Sequence, residues 1–191
     1  MQLSEFEKKL NQLYLPSDQD FSIIDVPKAQ FAMVDGTDPQ SPQFKPAIDW
    51  LFKLIQPIKQ IAKQRMGKAF KHPPLECLFW GEDFGNWRLM IVLPDWADDE
   101  LFNNCIAQAS QKLGTAPASL RKQSFEEGKS VQIMHIGAPK TQAITLEKLH
   151  SQFLPANKLT ARGHHHEIYL NDANHTAPEQ LKTVMRQPVC P

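Results

Sequence analysis

The sequence predicts an α+β fold built by duplication, with antiparallel sheets, and three observations predict it. Two stretches share one pattern: "FSIIDVPKAQFAMVDG" (21–36) and "SFEEGKSVQIMHIG" (124–137) are each two short apolar runs, broken by a turn and closed by glycine. Each is followed by apolar residues at helical spacing. Each half then returns to a second strand pair, bounded by Glu76 and Pro94 in one case and by Glu167 and Pro188 in the other.

In the first half the turn falls at Pro27-Lys28, which makes the opening run a strand pair. Phe44, Ala47, Ile48, Leu51, Phe52, Ile55 and Ile58 then recur every three or four residues, as one face of a helix requires. Pro57 has no N–H to donate and crowds the preceding turn, so it is expected to bend or end that helix. "LECLFWGEDFGNWRLMIVLP" supplies the second strand pair. In "ADDELFNNCIAQASQKLG" the apolar stripe is Ala97, Leu101, Phe102, Cys105, Ile106, Ala109 and Leu113, with acids at the positive end of the helix dipole and Gly114 as the stop. This is a linker helix over about 97–113. The second half repeats the order, with its turn at Gly128-Lys129, a weaker stripe of Leu146, Leu149 and Phe153, and "EIYLNDANHTAPEQLKTVMRQP" as its second pair. The expectation is one domain over 1–191, made of duplicated strand-helix-strand-strand units in two pseudo-symmetric halves at about 20–95 and 118–190. Helices would cover one face of each sheet and leave a ligand groove between the halves.

Composition narrows the partners. A chain of 191 residues can bury a sizeable core, and its 21 basic residues balance its 21 acidic ones, so no nucleic acid and no anionic membrane surface is expected as a partner. A small-molecule ligand, recognised locally, fits better. "MQLSEFEKKLNQLYLPSDQD" lacks the apolar core of a signal peptide, and no stretch approaches the roughly 20 apolar residues of a membrane span. A cytoplasmic location follows as the expectation. Cys77, Cys105 and Cys190 are odd in number and far apart, which indicates neither a disulfide framework nor a thiolate metal site.

The densest chemistry lies in "RGHHHEIYL". Side chains alternate along a strand, so His166, Ile168 and Leu170 share one face while His165, Glu167 and Tyr169 share the other. The apolar set is expected beneath a helix, which leaves Glu167 and Tyr169 on the groove. His164 and His166 point to one side and His165 to the other, so three ligands cannot converge from this strand; no metal and no cofactor are expected. In the first half Leu75, Cys77 and Phe79 face one way and Glu76, Leu78 and Trp80 the other, again pairing a glutamate with an aromatic. A buried carboxylate costs several kcal/mol unless it is paired, protonated or used, which makes Glu167 and Glu76 candidate ligand contacts. A salt bridge from Glu167 to Lys182 or Arg186 on the partner strand is the competing structural role. Trp80, Trp87 and Tyr169 are candidate walls, with a core role open to each, because aromatics bury readily anywhere. An acid flanked by aromatic faces suits a flat, cationic or polarised organic molecule. His72, His135, His150 and His175 are scattered, as surface or satisfied core histidines are.

The segments "DVPKAQFAMVDGTDPQS", "PLECLFW", "LMIVLPDW", "EGKSVQIMHIG" and "HHEIYLNDANHTAPEQLKTVMRQPV" together resemble stand-alone proteins of the GyrI-like small-molecule-binding family, from Tyr14 onward. The resemblance implies the duplicated unit and a central groove for drug-like compounds. Relatives occur behind a helix-turn-helix module, for which the stretch before Phe21 is too short, so a transcription regulator is not expected. Some stand-alone relatives hydrolyse cyclopropane-bearing natural products, opening the strained ring with water. In that case the family's acid falls on Glu167 and its tyrosine on Tyr169, which become the catalytic candidates, and the tryptophan of its "PLEGLW" motif falls on Phe79 or Trp80. Pro139 stands where the family has the tyrosine of "HIGPY", and Phe52 and Gln56 stand at its helix tyrosines, so hydroxyl groups are missing from the expected pocket. Three classes of function follow: a binding module for drug-like compounds, a hydrolase, and a gyrase-inhibitor-like protein partner.

Overall fold

The computed structural model describes residues 13–66 and 72–191, and most of the stretch before Phe21 lies outside them. In chain order the elements are β1 (Ser22–Val26), β2 (Ala29–Thr37), α1 (Phe44–Met66), β3 (Leu75–Trp80), β4 (Asn86–Leu93), α2 (Asp99–Leu113), β5 (Arg121–Phe125) and β6 (Gly128–Ile136). Then follow α3 (Gln142–Lys148), β7 (Thr160–Ala161), β8 (His165–Tyr169) and β9 (Lys182–Cys190). The class is α+β with antiparallel pairing, as expected.

Two compact units divide the chain: a mid-chain unit, Ala29–Phe125, and a terminal unit that joins the residues up to Lys28 with Glu126–Pro191. The mid-chain sheet runs β5-β2-β4-β3, and the terminal sheet runs β1-β6-β9-β8. The opening runs of the two halves do form strands, yet β1 pairs with β6 and β2 with β5. Neither run folds back on itself. Pro27 and Lys28 therefore carry the chain from one unit to the other instead of closing a hairpin.

In the mid-chain unit, α1 buries Ala47, Leu51, Ile55 and Ile58 of the expected stripe and adds Trp50, Leu54 and Ala62, while Phe44 and Ile48 are half-buried. Phe52 lies off the stripe and stays largely exposed. Pro57 does not end the helix, which continues through it to Met66. The buried turns on either side hold the backbone helical where proline leaves one hydrogen bond unmade. The linker helix begins two residues later than its apolar pattern, because the Asp98 carboxylate accepts the Leu101 N–H at 2.8 Å and caps it. Gly114 ends it at φ 80°.

In the terminal unit, α3 passes through a π-helical turn, Leu149–Phe153, into a last turn at Leu154–Ala156. Leu149 and Leu154 pack on Val131 and Val189 of the sheet. Ile168 is fully buried on the opposite face with Met134, Val184 and Tyr14, and Leu13 and Leu170 pack beside them. Ile168 and Leu170 therefore do not lie beneath the helix of their own repeat. The Leu13–Tyr14 segment, helical in backbone, covers them instead.

Candidate functional site

Strand β8 carries the strongest cluster. Glu167 lies opposite Met185, which lies opposite Ile133, and this row shares its face with Val131 and Val189. The carboxylate therefore stands on the face that the α3 segment covers. Tyr169 Oη donates to Glu167 Oε2 at 2.9 Å, and His165 Nε2 lies 3.3 Å from Oε1. Alternation places all three side chains on one face, so a single strand presents a Tyr-Glu-His row with the carboxylate in the middle. Glu167 keeps a side-chain exposure of 15%, against 4% for His165. Partial desolvation, and after it the charge of His165, lower the pKa of His150, an exposed residue of the helical segment. Sequence spacing gave no reason to join His150 to the strand.

The salt-bridge alternative for Glu167 is not the arrangement formed. Arg186 is buried on the other face, where its Nη1 donates to Glu127 Oε2 at 3.1 Å and its Nε to Gln132 Oε1 at 3.0 Å. His166 Nδ1 donates to both Glu127 oxygens, at 2.9 and 3.0 Å. Burial alone would raise the Glu127 carboxyl; the charges and hydrogen bonds of His166 and Arg186 outweigh it and hold the pKa at about 2. Lys182, at the start of β9, is exposed. Glu127 was missed in the sequence because "FEEGKS" reads as a solvated turn.

In the mid-chain unit the two faces separate the candidates. Glu76 lies opposite Met90 and Trp80 opposite Asn86, which puts both on the face of Met33, Asp35 and Arg88. Trp87 lies opposite Phe79 and Gly36, on the face that α1 covers. Its ring meets Phe44 of α1 edge-on, with centroids 5.0 Å apart, and it is 1% exposed. Trp87 is thus packed in the core of its unit, away from the Trp80 face. Glu76 is also buried, at 1% exposure, while Trp80 is half-buried with the Arg88 guanidinium 5.6 Å from its ring centroid. The two glutamates do not occupy matching places: Glu167 faces the helix of its unit and Glu76 faces away from its own. Among the described residues, no group of three or more His, Cys, Asp or Glu side chains could hold a metal ion, and no helix is long and apolar enough to cross a membrane.

The family model of the GyrI-like small-molecule-binding domain matches residues 19–189, almost the whole chain. The chain belongs to the GyrI-like family. Among solved structures, an uncharacterised conserved protein from Listeria innocua is 30% identical, with 97% of this chain and 98% of that chain covered and a TM-score of 0.85. A hydrolase from Listeria innocua is similar at 30% identity over 97% of this chain and 98% of its own, with a TM-score of 0.83. The EcmrR C-terminal domain is 13% identical over 90% of this chain and 97% of its own, with a TM-score of 0.54, and shares the fold alone. No curated protein matches the chain. As a member of the GyrI-like family, the protein is a small-molecule-binding domain.

Proposed function

We propose that this GyrI-like domain binds a planar organic compound, polarised or cationic, with Glu167 and Tyr169 among its polar contacts. The Tyr169-Glu167-His165 row carries the reading: a carboxylate held by two donors on its own strand is oriented before any ligand arrives, which lowers the cost of binding. Trp80 and Glu76 are the proposed ligand contacts of the mid-chain unit, whereas Trp87 is left to packing. In this reading the protein works in the cytoplasm and sequesters toxic compounds.

Hydrolysis is the second reading, favoured by the Listeria relative named a hydrolase and by the same row of side chains. For a cyclopropane-bearing substrate, water would attack a ring carbon while Glu167 accepts its proton. The strained C–C bond breaks, its electron pair passes into the attached conjugated system, and a proton is taken up there. Glu167→Gln separates the two readings. A hydrolase keeps its affinity within a few-fold and loses turnover by roughly 10²- to 10⁴-fold. A pure binding module returns its ligand unchanged by mass spectrometry, and the same substitution weakens a cationic polyaromatic ligand more than a neutral one of equal size. Undiminished product formation by Glu167→Gln would remove Glu167 from the chemistry.

A further inference from the structure

The Tyr169-Glu167-His165 row sets two different kinds of partner against one carboxylate. Tyr169 Oη donates to Glu167 Oε2 at 2.9 Å, and His165 Nε2 lies 3.3 Å from Oε1. A phenol donates its proton without carrying charge, whereas an imidazole gains or loses a full positive charge between about pH 5 and pH 8. The His165 side chain is 4% exposed, so water screens that charge little, and the carboxylate beside it keeps the greater access to solvent, at 15%. The charge presented by the row therefore depends on one proton.

The elements of the terminal unit that share this face leave the pair in control of it. β9 brings only uncharged side chains, Thr183, Met185, Gln187 and Val189, and sends Arg186 to the other face, where it meets Glu127. β6 brings His135, whose ring nitrogens lie 3.1 and 2.9 Å from the hydroxyls of Thr145 and Thr141, and Lys129, which is exposed and lies opposite Asp25 of β1. Glu147, Lys148 and His150 of the helical segment are exposed to water. Partial desolvation, then the charge of His165, lowers the pKa of His150, so the two histidines sense each other.

We infer that His165 is the specificity-determining residue of the Glu167 contact: beside a neutral imidazole the carboxylate takes a flat cation, beside an imidazolium its charge is already offset, and a flat neutral molecule binds either form. This rests on the reading of Glu167 as a ligand contact and adds its regulation by pH. A cation and the His165 proton then compete, so cation affinity falls as pH is lowered and cation binding at acid pH releases a proton. For one shared site the limit is about tenfold in affinity per pH unit.

The test is calorimetric titration with N-methylquinolinium, a flat cation whose charge does not titrate, and with neutral N-methyl-2-quinolone. From about pH 8 down to pH 5 the wild-type protein should lose at least about tenfold in quinolinium affinity and stay within about twofold for the quinolone. His165→Gln, which keeps a donor that cannot titrate, should bind quinolinium with the same affinity across that range, whereas His150→Gln should keep the wild-type loss. Repeating the acid titration of the wild-type protein in two buffers of different ionisation enthalpy should show a proton released with quinolinium and none with quinolone, a readout that needs no variant to fold. A pH-independent quinolinium affinity, no proton released, a loss that persists in His165→Gln, as titration of Glu167 itself would give, or one that vanishes in His150→Gln overturns the inference while the binding of both compounds keeps the broader reading. Failure of both compounds to bind the wild-type protein at any pH overturns that reading as well.

Discussion

Glu127 is a carboxylate that burial would neutralise if His166 and Arg186 did not meet it. Its depressed pKa ties it to pH in one direction: the folded protein holds the proton less well than the unfolded chain, whose glutamates titrate near 4.5. The stabilisation is complete above that value and is lost as pH falls toward about 2. Urea midpoints measured from neutral pH downward should fall through this window, and Glu127→Gln should remove most of that slope. At neutral pH the same variant leaves Arg186 without its counter-charge and should cost about 3–5 kcal/mol. Gly36 is a second case, set by space. It faces Trp87 across the β2–β4 pair, where an added Cβ would overlap the indole ring. Gly36→Ala should destabilise by about 1–3 kcal/mol, read as a lowered thermal midpoint, since the buried ring has nowhere to move.

At the scale of elements, α1 keeps a proline that a helix interior disfavours. Pro57→Ala restores the N–H that can donate to the Lys53 carbonyl and should raise stability by about 1–2 kcal/mol in urea denaturation, less than the full proline penalty because the unfolded chain also gains freedom. An unchanged midpoint would mean that the surrounding packing, not the missing bond, sets the strength of this helix. The same element shows what a sequence carries. The apolar stripe of α1, the acids and glycine of α2 and the short apolar runs of β2 to β4 are local patterns, legible because each is set by residues a few positions apart. Which strand β1 joins is decided by contacts a hundred residues away, and nothing in Pro27-Lys28 distinguishes a hairpin turn from a crossing between units. The covering of Ile168 by Leu13 and Tyr14 was hidden for the same reason.

Over the whole molecule, the candidate site was legible in part. Alternation was enough to put His165, Glu167 and Tyr169 on one face, and the structure adds the hydrogen bonds that make them a row. It was not enough to say which face α3 would cover, nor that Glu76 and Glu167 would stand on opposite sides of their sheets relative to their helices. Trp87 and Trp80 were separated only once strand register fixed their faces. The Glu127 network has no sequence signature, because burial of a turn acid depends on the tertiary fold.

The central claim is that this GyrI-like domain binds a flat organic molecule through Glu167. Calorimetric titration of the wild-type protein and of Glu167→Gln with proflavine tests it most directly. Saturable binding at micromolar to sub-millimolar concentration is predicted, weakened by about 1 kcal/mol or more in the variant, in which a hydrogen-bonding partner remains but the carboxylate charge is gone. Absence of saturable binding to the wild-type protein at millimolar proflavine, or equal affinity in the two proteins, would contradict it.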